Sequence, residues 1–310
     1  MDRRKFITGT LTVGAGLTFI NPIQASGLFT DNISKPTLQI SLAQWSLHNK
    51  LFSGKMNHLE FAEKAQSFGC AGLEYVNAFF KDKAKDITYL KEMNTRAEDH
   101  QQQNVLIMID GEGFMADKDS NKRMKAIENH YKWVEAAHTL GCHAIRVNLA
   151  GGEDKAEAQK AGIDSLNRLA EFAEPHGINV LVENHGGLSS DGGWLSGVMH
   201  NVKYKNIGTL PDFGNFCIKR GAGQSCITEY DKYQGMEELM PFAKALSAKS
   251  YEFDAQGNET KADFYKMISI AHQNNYSGYV GIEFEGNSIS EEEGILKTKN
   301  LLDKVISKIY

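Results

Sequence analysis

One unit recurs eight times along the chain: an apolar run, a polar residue near its end, and then an amphipathic stretch. The polar residues of successive runs lie about 29 to 38 residues apart, the length of one strand and one helix. Eight such parallel units close into a barrel. The sequence therefore predicts an α/β fold, a single (β/α)8 TIM barrel over residues 37–310, with strands at 38–45, 72–77, 104–110, 143–149, 178–185, 207–212, 245–251 and 278–284.

The N-terminal segment differs from the repeating part. Arg3 and Arg4 precede a weakly apolar run, residues 7–20, which is short for a membrane span. This arrangement resembles a twin-arginine export signal over residues 1–25, followed by a polar linker over residues 26–36. We therefore expect a periplasmic or otherwise exported protein, with no membrane contact after export unless the signal is retained as an anchor.

Charge and cysteine content exclude several classes of partner. The formal net charge is −5 and no long basic run is present, so a nucleic-acid partner gains little support. The four cysteines show no C-x-x-C spacing, which makes a cysteine zinc site improbable. Cys70 and Cys142 begin apolar strands and are expected to be buried thiols. Cys217 and Cys226 share one connection and could pair in an oxidising compartment, but their spacing does not decide this.

Three acidic residues end different predicted strands. Glu183, Asp212 and Glu283 close the fifth, sixth and eighth strands, so all three should meet at one mouth of the barrel. Carboxylates gathered there repel one another unless one is protonated or a cation binds. His185 lies on the same face of its strand as Glu183 and is available as a nitrogen ligand. The sequence thus predicts a divalent metal site at Glu183, Asp212, Glu283 and His185.

A second interpretation of these acids stays open. They can be separate structural acids, each paired with Lys249, Arg146 or backbone amides. Two connections, residues 186–195 and residues 213–228, are longer than the fold requires and follow strand ends, where barrels place substrate-binding loops. Trp45 or Trp194 could stack on a substrate ring or simply pack in the core. We predict a substrate-binding set at Gln44, Glu74, Asp110, Arg146, Asn148, Trp194 and Asn215.

Three segments carry a resemblance to a known family. Residues 182–185, residues 210–215 and residues 281–285 are similar to the xylose isomerase-like, or sugar phosphate isomerase/epimerase, superfamily of barrels. The resemblance implies a divalent ion, Mn, Mg, Co or Zn, at the three acids. This chain departs from the family pattern at two places. Members commonly have a histidine at the position of Asn215, and they commonly have a metal-ligating histidine on the seventh strand, where this chain has none. Here that strand carries Lys249, which stands near the metal as a cation or base, or forms a salt bridge.

The expected reaction follows from this resemblance. A metal-stabilised enediolate would form when a proton is removed beside a sugar carbonyl. Glu183, Glu283 and Lys249 are the candidate catalytic residues, and the two glutamates could act from opposite faces of the substrate. Because sugar phosphates are mainly cytoplasmic, an exported enzyme is expected to act on a non-phosphorylated sugar or keto-sugar.

Other functions share parts of this pattern. A lyase or glycoside-cleaving enzyme acting on 3-keto-glycosides would use the same first step. A non-catalytic sugar-binding barrel is the interpretation that the two missing histidines favour. An endonuclease-like activity occurs elsewhere in the superfamily, but the acidic charge and the expected export argue against it. The small-molecule partner in the preferred interpretation is a carbohydrate.

Overall fold

The computed structural model describes residues 38–310, all of which belong to one compact unit. The predicted signal segment and linker, residues 1–25 and 26–36, lie outside the described residues. None of the helices within residues 38–310 is both long enough and apolar enough to cross a membrane.

Ten strands and nine α-helices alternate along this part of the chain. The strands are β1 (Leu38–Ala43), β2 (Gly72–Val76), β3 (Gln103–Met108), β4 (Ala144–Val147), β5 (Asn179–Glu183), β6 (Ile207–Leu210), β7 (Cys217–Arg220), β8 (Cys226–Glu229), β9 (Leu246–Ser250) and β10 (Gly278–Phe284). The helices are α1 (His48–Phe52), α2 (Phe61–Ser67), α3 (Ile87–Asp99), α4 (Ser120–Leu140), α5 (Lys155–Ala173), α6 (Gly192–Met199), α7 (Lys232–Leu239), α8 (Phe264–Gln273) and α9 (Glu291–Ile309).

Eight of these strands form one parallel sheet in the order β6-β5-β4-β3-β2-β1-β10-β9. The two end strands, β6 and β9, meet at a seam with only two isolated bridges, Thr209 with Ala243 and Asp212 with Ser247. At the seam, Ser247 N donates to the Pro211 carbonyl oxygen and Phe213 N donates to the Ser247 carbonyl oxygen, each at 3.0 Å. The predicted fold class, a single (β/α)8 barrel, is confirmed.

The barrel has two separate apolar clusters because side chains alternate along each strand. Val180 and Val182 point outward into the larger cluster between sheet and helices. Leu181, between them, belongs to the smaller cluster inside the barrel. Glu183 follows Val182 and therefore faces the interior, which is the orientation that the sequence predicts.

Helix starts are set by side-chain caps. An aspartate or serine accepts a hydrogen bond from a first-turn backbone N–H and so satisfies a donor that the helix leaves free. Six of the longer helices begin this way, at Asp86, Asp119, Asp154, Asp231, Asp263 and Ser290. These caps fix where each loop at the barrel mouth ends.

The structure corrects some predicted boundaries. Predicted strands 104–110 and 207–212 end two residues earlier, at Met108 and Leu210. The connection 213–228, which the sequence marked only as longer than the fold requires, contains most of an antiparallel hairpin of β7 and β8. A disulfide joins Cys217 to Cys226 across it. Pairing of two short exposed strands inside a loop leaves no apolar periodicity, which is why the pattern missed it.

Candidate active site

The three predicted acids meet at the mouth of the barrel. Glu183 is the last residue of β5, Asp212 lies two residues beyond β6, and Glu283 lies near the end of β10. One carboxylate oxygen from each lies within 4.8 Å of the others. All three side chains are buried, with exposed fractions of 1%, 0% and 3%. Three buried carboxylates this close need compensating positive charge.

Two buried cations lie against these acids. Lys249 Nζ is 3.0 Å from Glu283 Oε1 and 4.0 Å from Asp212 Oδ2. Arg146 Nε is 2.9 Å from Glu183 Oε2, and Arg146 NH1 donates to Asp110 at 2.8 Å. The salt-bridge role that the sequence left open for Lys249 is therefore present. Lys249 also forms an ion pair with Glu285, and Arg146 forms one with Asp110. The two positive charges are therefore fewer than the carboxyl groups around them.

Ser247 joins two of the acids. Its hydroxyl lies 2.6 Å from Asp212 Oδ2 and 2.8 Å from Glu283 Oε2. A serine hydroxyl has one proton, so it donates to one carboxylate oxygen only. The other oxygen then requires a proton of its own or a cation. The sequence analysis missed Ser247, although it shares the inward face of β9 with Lys249 and the two-residue alternation could have indicated it.

Asn215 connects the third acid, Glu183, to Asp212. Its side-chain Nδ2 donates to Glu183 Oε1 at 3.0 Å, and its backbone N–H donates to Asp212 Oδ1 at 2.8 Å. Gly214 N also donates to Asp212 Oδ1. Ser190 in turn donates to the carbonyl oxygen of Asn215. Asn215 therefore orients the carboxylates here; a substrate contact for it stays a prediction.

The environment shifts the pKa values of these acids in different directions. Burial raises the pKa of Glu183 to about 7, against the opposing effect of Arg146. Burial also raises the pKa of Asp212 well above its usual range, despite Lys249. For Glu283 the cost of burial is outweighed by Lys249 and Arg146, and its pKa is lowered. Carboxyls whose pKa values are pushed apart are suited to separate acid and base roles.

A polar network extends from the acids towards β3 and β4. Asn148 Nδ2 donates to Asp110 Oδ1 at 2.6 Å, beside the bond from Arg146 to the same oxygen. Burial of Asp110 is outweighed by Arg146, which lowers its pKa to about 2, so Asp110 is ionised. Three of the predicted substrate-binding residues are thus brought together next to Glu183.

The other predicted residues lie in different positions. Gln44 is fully buried and its Nε2 has no hydrogen-bond partner. Glu74 lies inside β2 rather than at its end and is also fully buried. Trp194 is buried at 7% exposure and donates to the Lys155 carbonyl oxygen. His185 is exposed and does not belong to the group of converging acids. The metal and substrate roles of these four residues stay predictions.

The donor set fits a divalent cation. Glu183 Oε2 is buried without a hydrogen-bond partner, because the Arg146 N–H does not point along a hydrogen bond to it. Asp212 Oδ2 and Glu283 Oε2 share the single proton of Ser247. Glu183 Oε2 and one of the two oxygens that face Ser247 are therefore left without a hydrogen-bond donor. The three acids carry the oxygen ligands that hard divalent ions prefer.

Comparison with known proteins identifies the family. The model of the xylose isomerase-like TIM barrel family matches residues 62–305, and the chain belongs to this family. No curated protein sequence matches it.

Solved structures share the fold at low sequence identity. A 3-keto-D-glucoside 4-epimerase from E. coli is 15% identical with a TM-score of 0.66, over 86% of this chain and 100% of that one. A D-psicose 3-epimerase solved in the presence of D-fructose is 13% identical with a TM-score of 0.65, over 87% and 99%. The IOLI protein with a bound zinc atom is 15% identical with a TM-score of 0.69, over 88% and 99%.

Proposed function

We propose that this protein is a carbohydrate isomerase or epimerase that holds a divalent cation at Glu183, Asp212 and Glu283. The observation that carries the proposal is the convergence of these three buried carboxylates within 4.8 Å at the mouth of a barrel of this family. The names of the similar structures, which include sugar 3- and 4-epimerases, support the same reaction class.

The bound cation would polarise a sugar carbonyl and stabilise negative charge on its oxygen. Glu183 and Glu283 then have distinct tasks. They come from β5 and β10, the outer two of four neighbouring strands, and flank Asp212 and Ser247. This placement suits removal of a proton beside the carbonyl by one glutamate and its return by the other. Lys249 holds Glu283 in place, while Asn215 holds Glu183.

The substrate we propose carries no phosphate. TIM barrels commonly bind phosphate in the loops after the seventh and eighth strands, at a helix N-terminus. Here the loop after β9 carries Glu252, Asp254 and Glu259, and α9 begins with acidic residues 291–293. These six acids outnumber the four lysines that pair with them, so the two places offer a phosphate group no net attraction. A neutral sugar or keto-sugar suits this rim better.

The ligand chemistry also favours particular metals. The converging group contains carboxylates only, with a serine hydroxyl beside them, and neither histidine nor cysteine belongs to it. Hard oxygen ligands of this kind suit Mg²⁺ or Mn²⁺ better than they suit Zn²⁺. We therefore expect Mg²⁺ or Mn²⁺ to support the highest activity.

The test combines metal analysis with a substrate screen. Purified protein is depleted with a chelator, reloaded with one metal at a time, and incubated with ¹³C-labelled free sugars, keto-sugars, keto-glycosides and sugar phosphates. We expect a new sugar isomer, detected by carbon NMR, only with metal and only from non-phosphorylated substrates. Equal turnover by the metal-depleted protein would contradict the proposal that the reaction requires a divalent cation. Faster turnover of sugar phosphates than of free sugars would contradict the proposal that the substrate carries no phosphate.

The same screen separates the lyase alternative. An isomerase or epimerase converts a keto-glycoside without releasing the group attached to the anomeric carbon. Release of that group would instead identify a lyase that shares the first proton abstraction. A protein that binds sugars but holds no stoichiometric divalent ion and converts none of them would be a binding module.

A further inference from the structure

A group of aromatic side chains stands at the same rim of the barrel as the acids. Trp45 follows β1, Phe52 ends α1, and Phe79 follows β2. The ring centroids of Phe52 and Phe79 are 4.9 Å apart, and those of Trp45 lie 6.0 Å from Phe52 and 6.2 Å from Phe79. We call these three residues the aromatic wall. Because all three follow strand C-terminal ends, the wall belongs to the substrate-binding face of the barrel.

The wall leaves apolar surface open to solvent. The side chain of Phe52 is 62% exposed, and Trp45 and Phe79 are half-buried. Their rings are tilted by 36° to 83° to one another, and the Trp45 indole also stacks on the His48 ring, so the open surface of the wall is mainly that of Phe52. Core packing does not explain an exposed phenyl ring held against two further aromatic rings.

The wall is continuous with the proposed catalytic centre. The Trp45 indole Nε1 donates to Glu285 Oε1 at 2.6 Å. The same oxygen lies 3.4 Å from Lys249 Nζ, which is 3.0 Å from Glu283 Oε1. One carboxylate and one ammonium group therefore separate the first ring of the wall from the acids. These contacts connect the wall to the acids through side chains at the same mouth of the barrel.

We propose that the aromatic wall binds a second ring, joined through a glycosidic bond to the sugar that reacts over the acids. This inference rests on the proposed function and narrows its substrate to glycosides. The rings of the wall offer apolar faces to the C–H face of a sugar ring, and the polar sugar hydroxyls stay in solvent. A monosaccharide occupies the acid centre alone and gains nothing from the wall.

Binding and turnover are measured with ligands that differ by one ring. The ligands are a monosaccharide, its methyl glycoside and a disaccharide with the same reacting sugar, with a phenyl glycoside to distinguish a sugar ring from an aryl group. We expect the disaccharide to bind about tenfold more tightly than the methyl glycoside, as burial of one ring face implies. Equal affinity of the two would overturn the proposal, and preference for the phenyl glycoside alone would assign the wall to aryl groups instead.

Two variants locate the effect. Phe52→Ala removes the exposed ring, and because this ring is exposed the fold should tolerate the change. Phe114→Ala is the matched control, since Phe114 is 60% exposed but lies outside the wall. We expect Phe52→Ala to raise the disaccharide Kd and KM about fivefold to tenfold, with the monosaccharide values and kcat unchanged. Phe114→Ala should change none of them.

The design separates failure of the wall from failure of the proposed reaction. If no sugar is converted but disaccharide binding depends on Phe52, the wall is a binding site and the proposed reaction is wrong. If monosaccharides are converted and Phe52→Ala affects every ligand equally, the wall proposal is wrong and the reaction stands.

Discussion

The interior of the barrel holds carboxyl groups at two levels, and their surroundings differ. At the mouth, Glu283 has an ammonium group 3.0 Å away. One level lower, Glu74 receives a single hydrogen bond from the Ser41 hydroxyl, and its other oxygen has no partner. Burial raises the pKa of Glu74 to about 8, whereas Lys249 and Arg146 outweigh burial and lower that of Glu283. The same side chain is thus neutral at the lower level and ionised at the upper one near pH 7.

Space for the lower carboxyl comes from the neighbouring strand. A Cβ atom at Gly281 would collide with both oxygens of Glu74. Gly281 lies two residues before Glu283 and therefore faces the interior from the same strand, β10. The strand that presents one acid at the mouth leaves room for another beneath it. Gly281 leaves the space that Glu74 occupies, whereas Lys249 and Arg146 place positive charge beside the upper acids.

The largest expected effect is the loss of activity when an acid of the upper level is replaced. Glu283→Gln and Glu183→Gln should each lower kcat/KM by roughly 10³-fold, because each removes a proposed metal ligand and proton-transfer group worth several kcal/mol. Both variants should also bind less than one divalent ion per chain by elemental analysis.

Glu74→Gln is the matched control for these variants, since it replaces an interior carboxyl of the same type that is already neutral near pH 7. It should retain the metal and most of the activity. A loss of activity as large as that of Glu283→Gln would show that the two levels act together, and full activity of either mouth variant would contradict the two-glutamate mechanism.

Removal of the cation should destabilise the upper level. Lys249→Met leaves Glu283 and Glu285 without the ammonium that they share. Breaking a buried ion pair by deleting one partner costs about 3–5 kcal/mol. We expect this loss in urea unfolding of the metal-free protein. The double variant Lys249→Met with Glu283→Gln should recover part of the stability; no recovery would mean that Lys249 stabilises by packing alone.

The lower level should make stability depend on pH. The pKa of Glu74 is about 8 in the folded protein against an ordinary value of 4.5, so the folded state retains a proton that the unfolded state loses. Stability from this group is therefore complete at low pH and falls as pH rises from 4.5 to 8. Between pH 5 and pH 7 the loss should be roughly 2 kcal/mol, since each pH unit costs up to about 1.4 kcal/mol.

Urea unfolding of wild type and Glu74→Gln over this pH range measures the contribution, because other groups cancel in the difference. The variant should lose less stability than wild type as pH rises. Parallel curves for the two proteins would mean that Glu74 is ionised in the folded protein.

The smallest effect concerns the hairpin beside the mouth. Asn215 is anchored to Glu183, Asp212 and Ser190, while β8 is exposed throughout. The double variant Cys217→Ser with Cys226→Ser should loosen the tip and change kcat/KM by less than roughly threefold, below about 1 kcal/mol. Treatment of wild type with a reductant should give the same value. A larger loss would place the disulfide among the groups that orient the upper acids.

The upper level was predictable from the sequence and the lower level was not. Glu183, Asp212 and Glu283 each follow an apolar run, and the C-terminal ends of parallel strands meet at one mouth whatever the loops do. Glu74 also follows apolar residues, but boundaries read from a sequence are uncertain by about two residues or more, and a shift of two moves a side chain one level down the barrel. Alternation alone does not distinguish the levels.

Partners that depend on tertiary geometry were also beyond the sequence. The sequence left the Cys217–Cys226 pairing open, since a disulfide requires a particular separation of the two Cα atoms, 5.7 Å in this hairpin. It likewise gave Lys249 two roles, because only the fold places its ammonium beside Glu283. The pattern of strand ends supplied the acids, and the three-dimensional arrangement supplied their neighbours.

The seam of the barrel has one more consequence. Asp212 lies beyond β6 on one side of it, and Glu283 lies on the other side with β9 and β10. An ion bound by both residues would link the two sides of the seam, where the sheet has the fewest backbone pairings. Loading the ion should then slow hydrogen–deuterium exchange at the amides of Phe213 and Ser247, far more than at the continuous ladder between β2 and β3, and should raise the unfolding temperature of the whole barrel.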